Sequence, residues 1–175
     1  MKRSLCAKVT GCLRLAERTG AFSGPEIEVL DEVLKDWALK PEEGYRLDTV
    51  SDKGALAGFV LWGRTPMTGR GYDVYWIAVD PSLQGSGYGK KLMALVEEAA
   101  CLETSGCILR LETSGRKEYE YQRAFYKKCG FDEVGRIRDF YRDGDDLVTY
   151  VKCVDSENKE TGGRLQETES QNHKI

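Results

Sequence analysis

The chain has 175 residues, with 26 basic and 29 acidic side chains and a formal net charge of −3. That length suits one domain with a real hydrophobic core, and the near-balance of charge leaves no electrostatic footprint for nucleic acid and no basic run for a membrane surface. The six cysteines include no CxxC pair and the single histidine, His173, lies close to the end, which excludes a zinc site on ordinary ligand spacing, and any histidine-dependent triad.

The opening MKRSLCAKVTGCL has a basic start and a VTGC box, but Lys8 interrupts its short apolar run. It therefore reads as a cytoplasmic start without a signal segment, and no stretch approaches the roughly twenty apolar residues that span a bilayer. The cysteines read as buried, reduced thiols. Two helices are predicted first, at LRLAERTG (13–20) and PEIEVLDEVLKDWAL (25–39). The second carries Ile27, Leu30, Val33, Leu34 and Trp37 on one stripe, with Ser23 or Gly24 as its cap and Pro25 in its first turn. YRLDTVSD (45–52), GALAGFVLWGR (54–64) and YDVYWIAVD (72–80) follow as three strands in hairpin order, rich in β-branched and aromatic residues.

The next stretch, VDPSLQGSGYGKKL, holds Gly85, Gly87 and Gly89 within five residues. Bare backbone of this kind lets N–H groups approach a phosphate. Tyr88, Leu92, Leu95, Val96 and Ala99 then recur at helical spacing, so the glycine loop opens a helix. CILRLETS (107–114) reads as a buried strand and YEYQRAFYKKCG (119–130) as a short helix closed by a C-cap glycine. FDEVGRIRDFY and LVTYVKCV form a hairpin around RDGDD. The domain is expected to occupy residues 1–154, and residues 155–175, almost without aliphatic side chains, to form a disordered tail.

Three phosphate-binding readings compete for the loop. A nucleotide P-loop wants GxxxxGK followed by Ser or Thr, but Gln84 stands at its first position and Lys91 follows Lys90. A dinucleotide fingerprint wants a glycine where Lys90 stands, and wants the unit at the start of a βα series rather than after a meander. The third fits. Gln84-x-x-Gly87-x-Gly89 after a strand resembles the acyl-CoA signature of the GNAT family of N-acetyltransferases, and YQRAFYKKCGF resembles its second signature, here Tyr126, Gly130 and Phe131. The resemblance covers roughly residues 10 to 153.

This resemblance implies an α/β (α+β) GNAT fold: a mixed sheet of six or seven strands with a splayed parallel central pair and helices on both faces. Only MKRSLCAK precedes the first predicted helix, so the family's first strand is missing or very short. The resemblance further implies coenzyme A, as acetyl-CoA, in the gap between the parallel strands, with no metal. Its pyrophosphate would lie on the backbone from Gln84 through Gly85, Ser86, Gly87, Tyr88 and Gly89 to Lys90, and its arm along Ile77, Ala78 and Val79. Where many members carry Asn and Ala in the second helix, this chain has Tyr119 and Gln122, which stand as the cofactor-facing candidates there.

The implied reaction is acetyl transfer to a primary amine by direct attack in a ternary complex. The amine must lose a proton, the oxyanion needs an N–H donor near Ile77 to Val79, and the leaving thiolate needs a proton donor. Tyr126 is the candidate acid; Asp73 and Glu112 are rival bases, with water relay a third option. Simple alternation puts Asp73, Tyr75, Ile77 and Val79 on one strand face, unless a bulge alters the parity. Of Trp62, Tyr72, Tyr75 and Trp76, half are expected in the core and half in an acceptor pocket, with the loop 64–71 and the hairpin 137–146 as further walls. The acceptor is a small molecule or peptide amine, and the protein a monomer or homodimer. The rival function is a non-catalytic acyl-CoA sensor or interaction module of the same fold.

Overall fold

Two helices open the computed structural model, which describes residues 2–41 and 43–155. The tail expected beyond residue 155 and His173 lie outside the described residues. Helix α1 spans Lys2–Thr19 and α2 spans Gly24–Leu39. The predicted first helix was thus only the second half of α1. The buried stripe Val9, Cys12, Leu15 and Ala16 begins before residue 13, and Gly11 does not break it. Ser23 caps α2 as expected: its N–H and its hydroxyl both donate to the Glu26 carboxylate at 2.7 Å.

Six strands form one sheet among the described residues, in the order β1-β2-β3-β4-β6-β5. They are β1 (Tyr45–Asp52), β2 (Ala55–Arg64), β3 (Gly71–Val79), β4 (Cys107–Ser114), β5 (Asp132–Arg142) and β6 (Asp145–Val154). All neighbours pair antiparallel except β3 and β4, which run parallel. Helix α3 (Tyr88–Glu103) makes the crossover between them, and α4 (Glu120–Lys128) links β4 to β5.

Alternation along β2 divides the interior between the two sheet faces. Phe59 and Leu61 pack under α1 and α2 with Leu15, Leu30, Leu34 and Trp37. Val60 and Trp62 pack on the other face with Leu92, Met93, Val96, Phe131 and Tyr150. The buried stripe of α3 is Leu92, Met93, Val96 and Ala100, whereas Leu95 is exposed. Helix α4 ends as its sequence promised. Gly130 takes φ +84°, and the N–H groups of Phe131 and Gly130 return to the carbonyls of Tyr126 and Lys127 at 3.1 and 3.0 Å. Of the six cysteines expected to be buried, only Cys12 and Cys107 are; Cys6 and Cys153 are exposed. No helix among the described residues is long and apolar enough to cross a membrane.

Candidate active site

Strands β3 and β4 pair only over Gly71↔Ile108, Tyr72↔Leu109 and Asp73↔Arg110, and then part. A bulge starts the separation. Trp62 pairs with Val74 and Leu61 with Trp76, so Tyr75 is an extra residue on β3. β4 instead continues against β6 as far as Ser114↔Leu147. At the far end of β3 the Asp80 N–H donates to Ala57 O on β2 at 2.8 Å. By alternation Ile77 and Val79 therefore turn their N–H groups the other way, into the fork.

The same bulge reverses the expected parity. Tyr72 and Val74 share the α3 face with Ile77 and Val79, while Trp76 and Ala78 face α1 and α2. Asp73 thus does not share a face with Ile77 and Val79. It is buried, accepts from Arg110 Nε at 2.7 Å and Thr65 Oγ1 at 2.8 Å, and sits where the two strands last touch. Thr65 and Arg110 line a separate hollow of about 340 Å³, together with Thr68, Gly69, Arg70 and Gly71. The loop 64–71, expected as a wall of the acceptor pocket, belongs to that hollow instead.

At the open end of the fork the glycine loop meets α3. Gly87 is the N-cap in the left-handed region at φ +88°, and a Cβ built on it would have nothing within 4 Å. Lys91 N–H makes the first helical bond, to Gly87 O at 3.1 Å, which leaves the N–H groups of Tyr88, Gly89 and Lys90 without intrahelical acceptors. Three donors and the positive helix end make a site for an anion. Gly89 has a different reason to be glycine, since its Cβ would come within 3.0 Å of the Phe125 ring on α4. The Tyr88 hydroxyl donates to Asp52 at 2.8 Å and the Lys91 ammonium lies over the Tyr88 ring, so this tyrosine offers the loop only its backbone. Gln84 Nε2 donates to Val79 O at 3.3 Å, tying the loop to β3.

Between the strands lies a cavity of about 670 Å³. Ile77, Ala78, Val79 and Gln84 line one side of it; Glu112 on β4, Tyr119 at the N-cap of α4, and Gln122 and Tyr126 on α4 line the other. These eight sequence candidates therefore meet in one space, from which Asp73 is absent. Tyr75 and Trp76 also face it, while Trp62 and Tyr72 are buried in the core. The hairpin 137–146, expected as a wall, supplies Tyr141, Arg142 and Asp145, whereas Phe22, Ser23, Pro25 and Glu26 at the α1–α2 corner are walls that the sequence did not mark. The corner had carried only a capping signal, and capping says nothing of what the turn overhangs.

Electrostatics distinguish the walls. Burial pushes the Tyr126 phenol up to about 12, with Cys129 and Tyr150 adding to the effect. Gln122 Oε1 is buried without a hydrogen-bond donor among the described residues, an acceptor at the cavity wall that suits an N–H. Asp145 is buried; it accepts from the Ser114 hydroxyl and from Arg142 Nε at 3.3 Å. Arg123 clamps α4 to the end of β4 by donating to Ser114 O and Arg116 O, both at 2.7 Å.

The profile of the acetyltransferase (GNAT) family matches residues 13–131. The N-alpha-acetyltransferase RimI of Mycobacterium tuberculosis is 36% identical over 86 residues, which are 49% of this chain and 49% of that enzyme, so the chain spans about half the length of that curated relative. A solved structure from Desulfovibrio desulfuricans, ascribed to GNAT-family acetyltransferases, superposes with a TM-score of 0.79 at 34% identity, over 83% of this chain and 91% of its own. An aminoglycoside 6'-N-acetyltransferase solved with coenzyme A shares the fold, with a TM-score of 0.66 at 16% identity over 83% of this chain and 89% of its own.

Proposed function

Because the chain belongs to the GNAT acetyltransferases, we propose that it is an acetyl-CoA-dependent N-acetyltransferase acting on a primary amine, with donor and acceptor bound together. The observation that carries this reading is the shared cavity: Gln84, Glu112, Gln122 and Tyr126 line one space beside the free edge of β3. The chain's own groups fit coenzyme A at two points. The N–H groups that open α3 suit a pyrophosphate, beneath a Gly87 whose Cβ position is open. The orphaned Gln122 Oε1 suits an amide N–H of the cofactor arm. Bound acetyl-CoA supplies the acyl group already activated as a thioester.

The chain's part is proton management and charge stabilisation. A free alkylammonium has a pKa of about 10.4, so at neutral pH the acceptor arrives protonated. Glu112, an exposed carboxylate on the β4 wall, takes that proton. The N–H groups of Ile77 and Val79 meet negative charge developing on the transferred carbonyl oxygen. The phenol of Tyr126 keeps its proton and offers it to the leaving sulfur. Asp73, held by Arg110 and Thr65, fastens the base of the fork. We place the whole activity in a single domain of residues 1–154, in the cytoplasm where acetyl-CoA is available.

A free-thiol assay with acetyl-CoA and an amine panel tests the reading. Glu112→Gln is expected to lower kcat/KM by about 10²-fold, and Asp73→Asn to lower it far less. A loss in Asp73→Asn with Glu112→Gln unchanged would move the base to Asp73. Coenzyme A binding without thiol release from any amine would overturn catalysis and leave a binding module.

A further inference from the structure

We propose that the acceptor is a small, flexible molecule with at least two ammonium groups, the reactive amine beside Glu112 and the second cation held by Glu26 and the rings of Tyr119 and Tyr141. The proposal rests on the acetyltransferase reading of the same cavity and adds the class of its acceptor. Three carboxylates, Glu26, Glu112 and Asp145, line this end of the cavity, with Arg142 as the facing cation. Arg142 is committed to Asp145, Arg110 to Asp73 and Arg116 to Glu118. Glu26 and Glu112 therefore face the cavity without a basic partner among the described residues. Glu26 receives only the N–H and hydroxyl of Ser23, both on the same oxygen.

These groups line one cavity together with Tyr119 and Tyr141, and both phenols feel the carboxylates. Tyr141 is held above the usual tyrosine range first by burial and then by Glu112, Asp145 and Glu26. Tyr119 is raised by burial and then by Glu26 and Asp145. The carboxylates come from α2, β4 and the start of β6, so they stand on separate walls around the two rings. A monoammonium acceptor pairs with one exposed carboxylate and leaves the other to solvent. A dication satisfies both, and its second charge also finds aromatic faces suited to a cation. An acceptor with its own carboxylate meets two uncompensated anions and one guanidinium already in use. A peptide N-terminus brings a single ammonium followed by amide groups. The cavity, about 670 Å³ and shared with the cofactor arm, is of a size that suits a small acceptor.

The test compares acetyl transfer to 1,4-diaminobutane, 1-aminobutane and a short neutral peptide with a free N-terminus, at low and high salt. Diaminobutane is expected to exceed aminobutane by roughly tenfold in kcat/KM at low salt, with the preference shrinking at about 0.5 M salt. In Glu26→Gln the diamine-to-monoamine ratio is expected to fall about fivefold, as for loss of one exposed ion pair. Equal turnover of monoamine and diamine, preference for the peptide, or an unchanged ratio in Glu26→Gln overturns the proposed class while leaving the enzyme an acetyltransferase. Calorimetry on the protein saturated with coenzyme A separates the other failure. Diamine binding above monoamine binding without thiol release from any amine upholds the class and overturns the transfer reading, and equal binding of the two overturns the class.

Discussion

Tyr126 stands at the cavity wall with its phenol raised to about 12. A free thiol has a pKa of about 8.5, so full proton transfer from such a phenol to a thiolate runs uphill by roughly three units. In the proposed reaction the useful act of Tyr126 is therefore a hydrogen bond donated as charge grows on sulfur, with transfer completed later from solvent. Tyr126→Phe is expected to lower kcat by about 10²-fold and to move the KM for acetyl-CoA far less. Because the phenol stays protonated, the wild-type pH profile should carry no limb from it below about pH 11. An unchanged kcat, with chemistry rate-limiting, returns Tyr126 to a packing role beside Phe131 and Tyr150. The place of Tyr126 beside the cavity was legible because its motif ends in the Gly-Phe pair that closes α4. That Glu112 lines the cavity and Asp73 does not was not legible, because it depends on the bulge at Tyr75. A one-residue bulge is a pairing event between β2 and β3 and leaves no mark on the alternation of β3 itself.

At the scale of elements, the glycine loop and α3 act as one device, and its glycines serve different ends. Gly87 holds a left-handed N-cap under open space; Gly89 lets the start of α3 touch Phe125. The left-handed conformation costs about 1–2 kcal/mol for a residue with a Cβ, so Gly87→Val strains the cap and sets a side chain beside the N–H donors. We expect calorimetry to show lost coenzyme A affinity while the far-UV spectrum is kept. Unchanged affinity would remove the loop from the site. The strands β1 and β4 were legible to the residue, since each is a β-rich run with clear turn residues at its ends. The start of α1 was not: a lysine-containing stretch before Gly11 shows its apolar stripe only once β2 is there to receive it. The hairpin β5–β6 was found as a hairpin. Its tip was also expected as a cavity wall, and Tyr141, Arg142 and Asp145 line the cavity; which of its residues do so depends on the irregular register between Ile137 and Arg142, which residue types do not specify.

Across the whole molecule, the two cores share an electrostatic feature. Each buries groups that must stay neutral. Under α1 and α2 the Cys12 thiol is fully buried and pushed up from 9.0 to about 12 by that burial, against a small opposing effect of Lys8. On the other face burial raises Cys107, its contact with Cys101 raises it further, and Tyr126 is raised to about 12. For each group the folded value lies above the unfolded one, so between the two the folded state holds protons that the unfolded state has released. Stability from these groups is complete below about pH 9 and is lost as pH rises toward about 12. Each contributes up to about 1.4 kcal/mol per pH unit within its window, so three together make a steep alkaline edge. Tm is expected to stay level through neutral pH and fall from about pH 9 upward. Cys12→Ala removes one of these protons at the cost of a small void under Leu15 and Leu34, so its Tm should be lower at neutral pH but decline less steeply above pH 9. A decline as steep as the wild type's would show that the thiol in the α1–α2 core is not linked to the alkaline edge, and would leave that edge to the α3–α4 face alone, where the candidate acid also sits.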